Sequence, residues 1–152
     1  MSLLVALQPR LGVALVVGGG NVATRKVRGL VEAGFSVRVV SPAVSDAIRE
    51  TGAEVAQRPF AEGDVEGIAL VFACTDERAV NRRVGEICRK AGIPVNVCDA
   101  RQESTFFSVA TLRAGDATIG VSTGGDDPAA AARIRDRVAA ALDADIKAGA
   151  PR

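Results

Sequence analysis

Three consecutive glycines, Gly18, Gly19 and Gly20, end an apolar run and are followed at once by Asn21, Val22 and Ala23. The spacing Gly18-x-Gly20-x-x-Ala23 fits the turn by which a strand feeds a helix against a dinucleotide pyrophosphate, with Ala in the third place. Each position has a physical reason. Gly18 permits a sharp turn, Gly20 has no Cβ to keep a phosphate from the backbone, and Ala23 lets the helix pack closely on its strand. The free N–H groups and positive dipole end of that helix then face the phosphates. A glycine-rich turn that binds nothing is the alternative reading of the same residues.

Other residues able to do chemistry fall at the ends of apolar runs. Ser41 follows the second such run, where many NAD sites place Asp or Glu for the ribose hydroxyls; its hydroxyl and nearby backbone are left to hold that part of a ligand. Thr75 and Asp76 follow a third run, and Asp99 follows a fourth. Asp99 reads equally as a proton acceptor or as a side chain that stabilises the turn after its strand. Arg25, Lys26 and Arg28 stand in the first two turns of the first helix, where the macrodipole disfavours cations. An anionic ligand nearby would offset that cost; solvated side chains are the alternative. There is no His, so imidazole acid–base catalysis and the commonest metal ligand are excluded. Cys74, Cys88 and Cys98 are widely spaced, fit neither a disulfide framework nor a zinc site, and read as reduced core thiols.

These groups need a scaffold, and the periodicity supplies one. Strands are expected over 12–17, 36–40, 54–58, 68–74 and 93–98. Helices are expected over 21–33, 43–51 and from Thr75 as N-cap to Gly92, the last with Val80, Val84, Ile87 and Ala91 on its apolar stripe. Strand–helix alternation predicts an α/β fold, a Rossmann-like doubly wound parallel sheet covered on both faces. Gly18, Ser41, Thr75, Asp76 and Asp99 then share the carboxyl edge, where open α/β sheets bind ligands. After a polar loop the pattern changes to two strands, 106–112 and 117–122. A long helix follows, started by Asp127 and Pro128, with Ala131, Ile134, Val138, Leu142 and Ile146 on one side. The domain boundaries read from this are 1–105 for a nucleotide-binding domain and 106–152 for a hairpin-plus-helix segment whose spare apolar surface suits a dimer arm.

The whole chain agrees with one globular domain and little else. It has 152 residues, 48% of them hydrophobic, a net charge of +1, five Phe and no Trp or Tyr. Val, Ala, Leu and Ile must therefore build the core, as in a buried parallel sheet. Neither bulk charge nor aromatic stacking points to nucleic acid. No apolar run approaches the ~20 residues of a membrane span. Leu3–Leu7 lacks the flanks of a signal peptide, so a cytoplasmic protein is expected.

Several separated stretches resemble one family, the precorrin-2 dehydrogenases, including the N-terminal module of sirohaem synthases. They are Val16-Val-Gly-Gly-Gly-Asn-Val-Ala-Thr-Arg-Lys26, Ala73-Cys-Thr-Asp76 with Val80-Asn81, Val95-Asn-Val-Cys-Asp99, and Val121-Ser-Thr-Gly-Gly125 with Pro128 and Arg133-Ile-Arg135. Val109 stands where the family usually has Pro, and Ala132 where many members have Arg. The resemblance implies an NAD-dependent oxidoreductase of sirohaem (porphyrin) biosynthesis that converts precorrin-2 to sirohydrochlorin. It implies Asp99 as the catalytic residue and contacts to NAD from Asn21, Val22, Pro42 and Ala43, beside Gly18, Gly20, Ser41 and Thr75. It also implies a homodimer built through the segment after the sheet, a tetrapyrrole substrate, and a further helical region that this sequence does not contain. Thr123 matches a position phosphorylated in some members. Some members insert Fe²⁺ as ferrochelatases; with no His and no cluster of Cys or carboxylates, no preformed metal site is expected here. A regulatory module that binds NAD(H) without chemistry, and a scaffold that binds nothing, are the alternatives.

Overall fold

The computed structural model describes residues 2–147, with side chains through residue 142. The chain divides into two compact units, Leu7–Phe106 and a second made of the residues up to Ala6 with the chain from Phe107 on.

The first unit is a five-stranded parallel sheet. Its strands are β1 (Val13–Val17), β2 (Val37–Val40), β3 (Glu54–Ala56), β4 (Ile68–Ala73) and β5 (Val95–Val97), in the order β3-β2-β1-β4-β5. β1 pairs in register with β2 (Val16 with Val39) and with β4 (Val16 with Phe72). Alternate residues of these strands point to opposite faces, which sorts the core into two halves. Ala14, Val16, Val39, Leu70 and Phe72 pack with Ala23 and Val27 of helix α1 (Asn21–Glu32) and with Ile48 of the single-turn α2 (Asp46–Arg49). Leu15, Val17, Val71, Ala73 and Val97 pack with Val84 and Cys88 of α3 (Arg78–Ala91). This is the expected doubly wound sheet. Because β2 lies on one side of β1 and β4 on the other, the order of strand addition reverses at β1, and a crevice opens beyond the carboxyl ends of β1 and β4.

Several expectations are corrected. The second helix is one turn, Asp46–Arg49, rather than 43–51. α3 begins at Arg78 with Glu77 as N-cap, so Thr75 does not cap it and Asp76 and Glu77 precede it. Its buried side is Asn81, Val84, Gly85 and Cys88, while Ala91 is exposed. Cys98 is exposed rather than a core thiol.

β5 ends the sheet, and its free edge is met by side chains. The Val97 N–H donates to Ser104 Oγ at 2.8 Å and the Val95 N–H to Thr105 Oγ1 at 2.8 Å. The Phe106 ring meets Phe72 edge-on, centroids 5.2 Å apart. Between β3 and β4, Arg58 makes a two-pronged bond to Asp64, at 2.6 and 2.8 Å, and the Ala61 N–H donates to the same carboxylate at 2.8 Å.

The second unit pairs β6 (Ala110–Ala114) antiparallel with β7 (Ala117–Val121), and α4 (Pro128–Lys147) packs on this hairpin. Asp127 starts α4, its Oδ1 accepting the Ala130 N–H at 2.8 Å. The Thr123 hydroxyl donates to the Asp127 carbonyl at 2.9 Å. On α4, Ala131 is buried and Ile134 exposed; Ile146 lies outside the residues whose side chains are described. Among the described residues no helix is long and apolar enough to cross a membrane.

The Arg58–Asp64 clamp gives the fold an acid-sensitive point. Arg58 donating to both oxygens holds the Asp64 carboxyl below its ordinary range. The folded pKa is thus lower than the unfolded value of about 3.9, so this stabilisation is complete above that pH and fades as pH drops through the folded value. Asp64→Asn should lower the urea midpoint at pH 7, with the gap to the parent protein narrowing below about pH 4. An equal gap at pH 7 and pH 3 would contradict this account.

Candidate functional site

The crevice beyond β1 and β4 is a cleft of about 750 Å³ within the first unit. Its floor is the glycine turn, and each glycine does a different job. Gly18 has φ +124°, and a Cβ on it would lie 2.6 Å from the Cys74 carbonyl oxygen. Gly19 is tighter still: a Cβ there would lie 1.9 Å from the Ala43 carbonyl oxygen. Its own carbonyl accepts the Ser45 N–H at 3.0 Å. Gly20 is different, because a Cβ there would meet nothing within 4 Å. The protein does not need glycine at position 20 for its own packing, whereas a ligand lying against that backbone does. Gly20 is also the N-cap of α1 and supplies no side-chain oxygen. The N–H groups of the first turn are then left for an anion. These features fit a dinucleotide pyrophosphate.

Hydroxyl and amide side chains fix the walls. Thr24 Oγ1 donates to the Gly20 carbonyl at 2.9 Å, so Ser45 Oγ, 3.0 Å away, is the donor between the two hydroxyls. This pair fastens α1 to the loop after β2. The Ser41 hydroxyl donates to the Ala43 carbonyl at 2.8 Å, which leaves its oxygen as an acceptor only. On the far wall, Asn81 is completely buried and grips Thr75 by three atoms. Its Oδ1 accepts from the Thr75 N–H at 3.0 Å and lies 2.8 Å from the Thr75 hydroxyl, and its Nδ2 donates to the Thr75 carbonyl at 2.8 Å. Asp76, Glu77 and Arg83 place two acidic groups and one basic group on this side of the cleft.

Of the residues singled out from sequence, Gly18, Gly20, Ser41, Pro42, Ala43, Thr75 and Asp76 come together as cleft wall. Asn21 and Val22 stand at the start of α1 beside the wall, and Val22 is exposed. Asp99 lies in the turn after β5, on the same sheet edge but not in the wall. Its Oδ1 is 3.5 Å from the Arg78 guanidinium, which also pairs with Glu103. Of the cations in α1, Lys26 sits over the Phe72 ring, 5.3 Å from its centroid. Sequence reasoning missed Gly19, Asn81 as a structural clamp, and Arg78. The unbroken triple glycine was the available signal for Gly19, and a polar Asn between the apolar Val80 and Val84 was the signal for Asn81. Among the described residues no group of three or more His, Cys, Asp or Glu is placed to hold a metal ion.

A doubly wound sheet with a glycine-floored cleft where its strand order reverses defines a nucleotide-binding domain. Residues 5–110 match the family described as putative NAD(P)-binding, and the chain belongs to that family. The chain is 41% identical over 134 residues to a siroheme synthase from Pseudomonas paraeruginosa, covering 86% of this chain and 28% of that protein. It is 38% identical over 128 residues to a siroheme synthase from Azotobacter vinelandii, covering 82% and 28%. The chain thus spans 28% of the length of these curated relatives. Among solved structures it is similar to "SirC, precorrin-2 dehydrogenase", with a TM-score of 0.77 and 26% identity over 92% of this chain and 71% of that one.

The glycines separate packing from binding. Gly20→Ala should melt within a few degrees of the parent, since a glycine N-cap replaced by Ala costs at most about 1 kcal/mol, yet bind NADH about tenfold more weakly. Gly19→Ala should be destabilised by about 1–3 kcal/mol through overpacking. Thermal melts and NADH fluorescence titrations of both variants check this; unchanged affinity in Gly20→Ala would refute the assignment of that open space to a ligand.

Proposed function

We propose that this chain is an NAD-dependent dehydrogenase that oxidises precorrin-2 to sirohydrochlorin in sirohaem biosynthesis. The observation that carries the reading is the cleft: an open approach at Gly20, beside a helix start with no side-chain cap, on the sheet edge where β5 leads into Asp99. The similarity to siroheme synthases and to a precorrin-2 dehydrogenase structure supports the choice of substrate.

NAD⁺, when bound, supplies the acceptor for the hydride that leaves a carbon of the substrate. The chain's residues do the rest. Backbone N–H groups at Gly20, Asn21 and Val22 hold the pyrophosphate, and Ser41, Pro42 and Ala43 border the adenosine side. The Thr75–Asn81 clamp keeps the opposite wall fixed. Asp99 Oδ1 receives the proton that leaves with the hydride, which balances the loss of two hydrogens. Arg78, 3.5 Å from that carboxylate, is a positioning residue for it.

The same reading includes a homodimer and a cytoplasmic location, a compartment in which thiols are reduced at rest. Within the second unit, Leu3 and Val5 are strongly exposed and Ile134 is 45% exposed, the apolar surface a second copy would cover.

Two measurements test these proposals. Asp99→Asn should lower anaerobic formation of sirohydrochlorin and NADH by about 10²–10⁴, with NADH affinity and melting temperature held. Turnover within twofold of the parent would end Asp99's role, and NADH binding without any turnover by the parent would favour a regulatory module. Sedimentation should give twice the 15.6 kDa chain mass, with Ile134→Asp shifting it toward the monomer; a monomeric parent would overturn the dimer.

A further inference from the structure

The ends of β4 and β5 carry two cysteines side by side. The strands pair in register, Val71 with Val95, Phe72 with Asn96 and Ala73 with Val97, and the Cys98 N–H continues the ladder by donating to the Ala73 carbonyl at 2.9 Å. One further step sets Cys74 beside Cys98, with the two Sγ atoms 2.9 Å apart. Neighbouring strands lie about 4.8 Å apart, inside the ~4.4–6.8 Å Cα separation that a disulfide spans. The third cysteine, Cys88, is fully buried on the core-facing side of α3.

The two thiols differ in a way that assigns roles. Cys98 is exposed, and Cys74 is 7% exposed. A hydrogen bond from the Cys74 thiol favours the Cys98 thiolate, as do the charges of Lys26 and Arg25; burial and Asp99 oppose it, and the balance lowers the Cys98 pKa. Cys74 is pushed the other way, by Cys98 first and by burial second. As a thiol, Cys98 has Asn96 Oδ1 as acceptor at 3.4 Å. Burial pushes Cys88 up to about 11. The thiolate is the nucleophile in sulfur chemistry, so reactivity is concentrated at the exposed member of the pair.

We propose that Cys98 and Cys74 form an oxidation site for hydroperoxides, closing into a disulfide across the β4–β5 edge and altering the dinucleotide cleft. The Cys98 thiolate attacks one peroxide oxygen. The O–O bond breaks, the leaving oxygen takes a proton as water or alcohol, and Cys98 becomes a sulfenic acid. The Cys74 sulfur then attacks Cys98 Sγ. The S–O bond breaks, and the departing hydroxide combines with the Cys74 proton as water. Two thiols are oxidised by two electrons and one peroxide is reduced.

The site's position gives the reaction a consequence. Cys74 lines the cleft, and its carbonyl is the atom against which Gly18 packs. Thr75, the next residue, is held by Asn81. A bond pulling on Cys74 therefore acts on the glycine turn directly. The inference rests on this geometry and does not require precorrin-2 as substrate.

The experiment uses the reduced full chain, hydrogen peroxide as oxidant, alkylation of remaining thiols and mass analysis of peptides. The expected result is a Cys74–Cys98 linkage with Cys88 alkylated, a several-fold loss of NADH affinity, and recovery of both on adding dithiothreitol. Cys98→Ser should abolish the linkage and the peroxide effect on affinity. Cys74→Ser should stop at a Cys98 sulfenic acid trapped by a 1,3-diketone, a readout that holds if the first variant folds poorly. Linkage through Cys88, no linkage at peroxide doses that oxidise an exposed free thiol, or an oxidised pair with unchanged NADH affinity would overturn the proposal.

Discussion

The close approach of two strand ends governs this structure. Where β1 finishes, its chain runs against the Cys74 carbonyl on one side and the Ala43 carbonyl on the other. There is no room for a Cβ at Gly18 or Gly19. That steric demand turns the chain sharply, starts α1 directly over the sheet, and aims its first-turn N–H groups into the gap between β2 and β4. A bulkier turn would move the helix start away from the sheet edge, and the cleft would lose its floor and its positive end together. The buried faces of Ala14, Val16, Ala23 and Val27 fix where the helix lies, while the glycines fix how it is entered.

Around that turn, orientation is set by a few polar groups taken out of water. Thr24 with Ser45 ties α1 to the loop after β2, Asn81 of α3 holds the turn before its own helix through Thr75, and Arg58 with Asp64 closes the β3–β4 connection on itself. Burying a polar group costs free energy unless it is bonded, so such groups are either fully partnered or very disruptive. Asn81 is the clearest case, with its amide satisfied by backbone and hydroxyl of one residue. The carboxyl edge of the sheet is therefore a set of connections each braced by its own polar contact.

The fold was legible because strand and helix periods are strong signals in an aliphatic sequence. The runs ending at Val17, Val40 and Ala73 have the composition of strands buried on both faces, and the helices between them force parallel order. The floor of the cleft was legible for the same reason, since glycine spacing is local. What escaped was set by side-chain and backbone contacts that periodicity does not show. Thr75 looks like a helix cap beside Asp76 and Glu77, but Asn81 engages it and delays the helix to Arg78. Gly19 looks like a spacer until Ala43, 24 positions on, is brought against it. Cys98 sits in an apolar run, yet β5 ends one residue before it and leaves it in a turn. Asp99 could be placed on the right edge from sequence, but its partner Arg78 follows from the packing of α3.

The outer edge of β5 has a different bearing on the molecule's behaviour. Its N–H groups are answered by the hydroxyls of Ser104 and Thr105 rather than by another strand. An unpaired edge of alternating Val residues would be a template for another chain to add to the sheet, the route by which native proteins aggregate edge to edge. Two short side chains reaching back from the following loop occupy those positions at no cost in extra strand length. Colloidal stability of the folded protein thus depends in part on two hydroxyl groups.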